Sequence, residues 1–107
     1  MDSGRRLACC VPFCRRTRGV RKGETGLPSE WICGPHWAGV PRALKRRKSL
    51  NFRFIRREMR RQPLASQWWR LPPGSAERIK AIGMWRVAGA IWDRCKRAAI
   101  EAAGGIA

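Results

Sequence analysis

The residues best suited to chemistry are cysteines and a histidine, gathered in the first 36 positions of the chain. Cys33 and His36, the one histidine of the sequence, stand in the stretch CGPH with two residues between them. Thiolate and imidazole groups are typical ligands of structural Zn²⁺, which takes four nitrogen and sulfur ligands in a tetrahedron. A second pair of ligands is therefore expected elsewhere in the chain.

The stretch CCVPFC supplies candidates for that second pair. Cys14 can act with Cys9, with four residues between them, or with Cys10, with three. Either spacing forms a turn that aims two thiolates at one ion, so the residues alone leave Cys9 and Cys10 as alternatives. The fifth cysteine, Cys95, lies far away in a helical pattern, where we expect it to be a small buried apolar residue.

The stretches CCVPFC and EWICGPHW together resemble short zinc-binding modules with a C-x4-C…C-x2-H pattern, which occur in small phage and prophage proteins and ahead of some phage HNH-type nucleases. The resemblance covers about residues 7–47. The zinc ligands that it implies are Cys9, Cys14, Cys33 and His36. It makes Cys10 a bystander, and Phe13 stands where these modules usually have glycine. The nucleases need further histidines, which this chain lacks, so the resemblance does not extend to their activity.

Charge is the second strong signal. The 107 residues include 24 Lys and Arg against 7 Asp and Glu, a formal net charge of +17. Eighteen of the basic residues and four of the acidic ones lie in residues 1–70. Such a field attracts polyanions, so nucleic acid, either DNA or RNA, is the expected partner. Codon bias in a high-GC phage genome is another source of arginine, and this interpretation stays open.

Residues 41–61 predict the helix that carries most of this charge, with ten basic residues and Glu58 as the one acid. Its apolar residues share one arc of a helical wheel, and basic residues share a neighbouring arc. The members of that arc that we expect to contact nucleic acid are Lys45, Arg46, Arg53, Arg56, Arg57 and Arg60. The loop between the two ligand pairs adds Arg15, Arg16 and Arg18 to the predicted nucleic-acid-binding residues.

The last third of the chain predicts a proline-rich connector over residues 62–75 and an amphipathic helix over residues 76–103. Ser75 can cap this helix. Its broad apolar arc includes two of the six tryptophans and can exceed what so small a monomer buries. Because exposed apolar patches mark partner surfaces, a homo-oligomer or protein partner docked on residues 84–99 is the alternative function.

These patterns predict a mainly α protein, with a small zinc knuckle at residues 1–40 that can include a short β-hairpin, followed by two or three helices. The chain has no Gly-rich phosphate loop and no Ser-His-Asp set, so we expect a binding protein rather than an enzyme. No apolar run reaches the roughly 20 residues that span a bilayer, and the N-terminal apolar stretch is too short for a signal peptide. We therefore expect a cytoplasmic protein of a bacterium or a phage-infected host, in which cysteines are metal ligands or thiols.

Overall fold

The computed structural model describes residues 6–19 and 30–105 and confirms the predicted mainly α fold. The predicted loop lies partly outside these residues, at 20–29. The regular elements, in chain order, are strands β1 (Arg6–Ala8) and β2 (Thr17–Gly19), helices α1 (Gly34–Trp37) and α2 (Arg42–Arg61), a 3-10 helix (Pro63–Arg70), and helix α3 (Ala76–Ala103). The chain forms two compact units, one of Met1–Pro41 with Cys95–Ala107 and one of Arg42–Arg94.

The first unit contains the short β-hairpin that the sequence allowed for. Its strands pair antiparallel, with Leu7 opposite Arg18. Leu7 is buried while its neighbours Arg6 and Ala8 are exposed, because successive side chains of a strand point to opposite faces. One face of the hairpin therefore carries the buried Leu7 side chain, and the loop between the two strands carries the first cysteines.

The last turns of α3 belong to the same unit as the hairpin. Cys95 and Ala99 are 0% and 1% exposed, which agrees with the expectation that Cys95 is a small buried apolar residue. Nearby, Lys96 Nζ lies 2.8 Å from Glu30 Oε2. This ion pair joins α3 to the backbone segment that leads to Cys33.

The second unit surrounds an apolar core. Its buried members are Ile55, Ala65, Leu71, Ala81 and Met84. Helix α2 is unbroken from Arg42 to Arg61, and it places Ile55 and Met59 one turn apart toward the core. The indole N–H of Trp85 donates to the carbonyl oxygen of Ala65 at 2.7 Å, which satisfies an acceptor on a buried residue.

Helix α2 also buries one acid, Glu58. Its Oε2 atom lies 2.9 Å from Nη2 of Arg61 and 3.0 Å from Nζ of Lys80. Arg61 in turn lies 3.1 Å from Glu77, on α3. Hydrogen bonds from Arg61 and then Lys80 hold the pKa of Glu58 below its ordinary value. A buried carboxylate is tolerated here because both cations stabilise its charged form.

The predicted connector contains the 3-10 helix, which Gln62 caps by accepting from the amide of Leu64. Gln67 has non-helical backbone angles and interrupts it. The adjacent tryptophans differ in environment: Trp68 packs partly buried against the core, whereas Trp69 is 59% exposed. Their different directions follow from being consecutive residues on an irregular turn.

Helix α3 begins and ends at the residues that the sequence predicted. Ser75 Oγ accepts from the amide of Arg78, which caps the first turn. After Ala103 the chain turns at Gly104 and Gly105, and Gly105 has a left-handed φ of 70° that glycine adopts without strain. Among the described residues, no helix combines the length and apolar character needed to cross a membrane.

Candidate metal centre

Backbone pairing brings the two cysteine-containing segments side by side. Cys9 continues from β1, and its amide donates to the carbonyl oxygen of Arg16 at 3.1 Å. On its other side Cys9 forms a parallel bridge with Trp31, and the amide of Cys10 donates to the carbonyl oxygen of Trp31 at 2.8 Å. These bonds place the segment that ends in Cys33 next to Cys9.

A tight turn folds Cys14 back toward Cys9. The Cys14 amide donates to the Val11 carbonyl oxygen at 3.1 Å, Pro12 follows Val11, and Phe13 has a φ of 69°. Proline second and a left-handed residue third are the features of a type II turn. Val11 is buried beneath it, which anchors the turn.

Helix α1 supplies the other pair. Cys33 is its N-cap, and Pro35 lies in its first turn. His36 lies about one helical turn after Cys33. The side chain of Cys33 makes no capping hydrogen bond, so its sulfur is not used by the helix. Cys33 is 1% exposed, and His36 is half-buried.

The four side chains converge. The ligand atoms of Cys9, Cys14, Cys33 and His36 all lie within 4.8 Å of one another. His36 Nδ1 is 3.2 Å from Cys33 Sγ and 3.6 Å from Cys9 Sγ. The Sγ atoms of Cys14 and Cys33 are 3.9 Å apart. Three sulfurs and one imidazole nitrogen at these separations can hold a metal ion.

The structure distinguishes Cys9 from Cys10, which the spacing alone did not. The Cys10 thiol turns away from the cluster and donates to the carbonyl oxygen of Trp31 at 3.1 Å. Burial, followed by the negative charge of Glu30, raises the pKa of Cys10. Both effects favour a neutral thiol and not a metal ligand at this position.

Backbone amides are directed at the cluster sulfurs. The backbone amide of Val11 acts to lower the pKa of Cys9, and the backbone amide of Arg16 acts to lower the pKa of Cys14. The amide of Cys33 also donates to Cys9 Sγ at 3.4 Å. Such bonds stabilise a thiolate, the form of cysteine that binds metals.

The pKa values of the two N-terminal thiols are nevertheless shifted in opposite directions. Burial raises the pKa of Cys9, and the amides of Cys33 and Val11 offset part of that increase. The Arg16 amide lowers the pKa of Cys14, and the Arg16 side chain lowers it further. Hydrogen bonding to Cys14 correspondingly raises the pKa of Arg16. Arg16, predicted from the sequence to contact nucleic acid, thus lies beside the Cys/His cluster.

The other predicted nucleic-acid-binding residues fall into two groups, one in each unit. In the first unit Arg15 is exposed, and a guanidinium nitrogen of Arg18 donates to the Gly19 carbonyl oxygen at 3.0 Å. In the second unit, all members of the predicted set lie on α2: Lys45, Arg46, Arg53, Arg56, Arg57 and Arg60.

The basic residues of α2 form one face, which we call the arginine face: Lys45, Arg46, Arg53, Arg56, Arg57 and Arg60. At 100° per residue they span about 120° of the helix, and the buried Ile55 and Glu58 lie on the opposite side. The five arginines are exposed. None of those five forms an ion pair with another described residue, since Glu58 and Glu77 are engaged by Arg61 and Lys80.

The predicted partner surface on α3 is partly buried inside the units. Met84, Ile91, Cys95 and Ala99 are buried, and Trp85 packs partly buried against the core. Val87 is the large apolar residue between positions 84 and 99 that stays exposed, at 51%. Four residues of the predicted apolar arc are therefore buried inside the units, and a partner surface on residues 84–99 stays a prediction.

Sequence reasoning did not find the Arg16 contact to Cys14, because a basic residue in a loop gives no signal of its direction. The left-handed backbone of Phe13 had a weak signal, since proline precedes it in the turn. No protein family, no curated protein and no solved structure matches this chain. Functional conclusions therefore depend on the site itself.

Proposed function

We propose that this protein is a small non-enzymatic nucleic-acid-binding protein whose N-terminal unit is stapled by structural Zn²⁺. The observation that supports the metal is the convergence of Cys9, Cys14, Cys33 and His36 within 4.8 Å. The observation that supports the partner is the arginine face of α2. Four protein ligands leave no coordination position for a substrate, so the zinc is structural and not catalytic.

The ligand separations fit zinc. Bond lengths of about 2.3 Å to sulfur and about 2.0 Å to nitrogen give tetrahedron edges of about 3.8 Å between sulfurs and about 3.5 Å between sulfur and nitrogen. The separations of 3.9 Å between Cys14 and Cys33 and of 3.6 Å between Cys9 and His36 are close to these values, whereas the 3.2 Å between Cys33 and His36 is shorter. Three thiolates with Zn²⁺ leave one negative charge, which Arg16 is placed to balance.

The arginine face supports binding to nucleic acid. Helix α2 carries ten basic residues and one acid, and that acid is already paired. Repulsion among these cations costs stability, which a polyanion relieves. Contacts of this kind go mostly to phosphates and position a protein without selecting a sequence.

Assembly through residues 84–99 is the competing function. Its expected surface is reduced because Met84, Ile91, Cys95 and Ala99 are buried within the described units. Sedimentation of the zinc-loaded chain at high salt separates the two hypotheses. We expect a monomer, and a stable dimer would favour assembly.

Salt-dependent binding to DNA tests the proposal. Fluorescence anisotropy with a labelled 20-nucleotide DNA, single-stranded and annealed, measures affinity between 50 and 200 mM salt. If six phosphates are contacted, affinity falls about 10³-fold over this range. A slope near zero on both DNAs would contradict nucleic-acid binding.

A matched pair of triple variants tests the arginine face. The first replaces Arg53, Arg56 and Arg60 with glutamine, and the control replaces the exposed α3 residues Arg86, Arg94 and Arg97. Both lose three charges. We expect the α2 variant alone to lower the salt slope by about 2.7 for duplex DNA. Equal losses from both variants would mean that net charge, and not this face, drives binding.

A further inference from the structure

Phe13 combines two unfavourable features. Its φ of 69° lies in the left-handed region, where a side chain with a Cβ atom is strained and glycine is not. Its side chain is 102% exposed, so its ring gains no burial within the structure. A glycine would form the same turn without strain and without exposing an aromatic ring to water.

The turn fixes the backbone from which the ring projects. The Val11 carbonyl accepts from the Cys14 amide at 3.1 Å, Val11 is buried, and Cys14 belongs to the metal cluster. Pro12 further restricts the backbone. Phe13 thus projects from a hydrogen-bonded turn next to a proposed zinc ligand, Cys14, and not from a loose loop. Strain kept at a rigid, exposed position points to a function for the side chain.

The surroundings of Phe13 are basic. Arg15, two residues further along, is exposed and pairs with no described acid. Two residues span at most about 7 Å, so the ring and this guanidinium can contact one nucleotide, the ring its base and the guanidinium its phosphate. Aromatic rings beside basic side chains are the usual platform for unpaired bases, because every base has a π-face.

We infer that Phe13 stacks on an unpaired base, so that the N-terminal unit binds single-stranded nucleic acid, with Arg15 contacting an adjacent phosphate. This inference depends on the proposed nucleic-acid binding and refines it. A duplex offers no free base face, so the ring contributes to single-strand binding alone. Binding of the duplex then depends on charge, including the arginine face.

The test uses the full zinc-loaded chain and one unstructured 12-nucleotide DNA, alone and annealed to its complement. Phe13→Gly removes the ring and the strain together, so a loss of affinity in this variant is not a loss of folding. Phe13→Leu keeps an apolar side chain without a π-face, and Phe13→Trp keeps stacking. Zinc content and thermal unfolding are measured for each variant.

We expect Phe13→Gly and Phe13→Leu to weaken single-strand binding about 5- to 100-fold, the usual effect of removing one stacking ring. Phe13→Trp retains wild-type affinity, and duplex affinity is the same in all four proteins. Unchanged single-strand affinity in Phe13→Gly would overturn the inference while nucleic-acid binding stands. Equal losses on single strand and duplex would also overturn it. If the wild type binds neither DNA, the proposed function itself fails.

Discussion

The Nδ1 atom of His36 lies 3.2 Å from the Sγ atom of Cys33, one turn of α1 earlier. The two meet because Cys33 is the N-cap of that helix and its side chain makes no capping bond. At most helix starts the N-cap side chain accepts from a first-turn amide. Here that side chain is turned toward the cluster, so the start of the helix and the ligand pair are one structural feature.

Serine in place of Cys33 should remove the zinc. A hydroxyl is a poor zinc ligand, and we expect the affinity for Zn²⁺ to fall by more than about 100-fold. This loss is larger than the one usually seen when a residue that only hydrogen-bonds to a ligand is removed. Elemental analysis of protein purified under reducing conditions should give about one zinc per wild-type chain and almost none in the variant.

Cys9→Ser and Cys10→Ser form the matched control. These neighbours differ in direction: Cys9 lies 3.6 Å from His36 Nδ1, whereas Cys10 donates to the Trp31 carbonyl. We expect Cys9→Ser to lose zinc and Cys10→Ser to keep it. The reverse result would show that Cys10 is the ligand.

Chelation should unfold the first unit. Structural zinc contributes about 10–16 kcal/mol in small modules, as much as the whole stability of many domains. The strands β1 and β2 have three residues each and cannot be stable alone. Amide hydrogen exchange at Leu7 and Cys9 should become fast after chelation. If these amides stay protected from exchange without metal, zinc does not stabilise the fold of this unit.

Phe13→Gly should stabilise the metal-loaded protein. Relief of left-handed strain is worth about 1–2 kcal/mol, and the extra freedom of glycine in the unfolded chain costs about 0.5–1 kcal/mol. The expected net gain is about 0.5–1 kcal/mol, measured by urea unfolding in excess zinc. Phe13→Ala keeps the strain and serves as control. A Phe13→Gly variant less stable than Phe13→Ala would show that the backbone is not strained.

Met84→Ala should destabilise the second unit by about 2–5 kcal/mol, because it leaves a cavity in the core with Ile55 and Leu71. Ile79→Ala on the same helix is the control. Ile79 is 63% exposed, so its loss should cost less than about 0.5 kcal/mol. Equal costs at the two positions would contradict the packing of α3.

Acid should weaken the second unit through Glu58. Its pKa is depressed in the folded state by Arg61 and Lys80, so its contribution is complete above its ordinary value of 4.5. The contribution is lost as pH falls through the lower folded-state value, since the protonated group no longer offsets the two cations. Glu58→Gln should therefore be less stable than wild type at pH 7, and the difference should shrink below pH 4.

The control for this pH dependence is Glu101→Gln. Glu101 is exposed near the end of α3 and forms no ion pair with a described residue. The Glu101→Gln substitution removes the same charge as Glu58→Gln. The stability of this variant should therefore follow that of the wild type at both pH values. A gap between wild type and Glu58→Gln that stays constant across pH would mean that packing, and not ionisation, is lost.

Much of the helical structure could be predicted from local signals. Pro41 before the basic run, Ser75 before α3 and the glycines after Ala103 mark helix ends by backbone chemistry that acts within a few residues. The ligand types were visible for the same reason, because a Cys-x2-His spacing fits within one turn. Cys10 could not be separated from Cys9 locally, since a gap of three residues and a gap of four residues to Cys14 both allow a turn that brings two thiolates to one ion.

The tertiary structure decided what depends on contacts between distant segments. The bridge from Cys9 to Trp31 directs Cys9, and not Cys10, at His36. Folding also places Cys95, far along the chain, in the unit that holds the Cys/His cluster. Composition and periodicity describe each segment alone, whereas side-chain direction at these sites is set by hydrogen bonds and burial against segments up to tens of residues away.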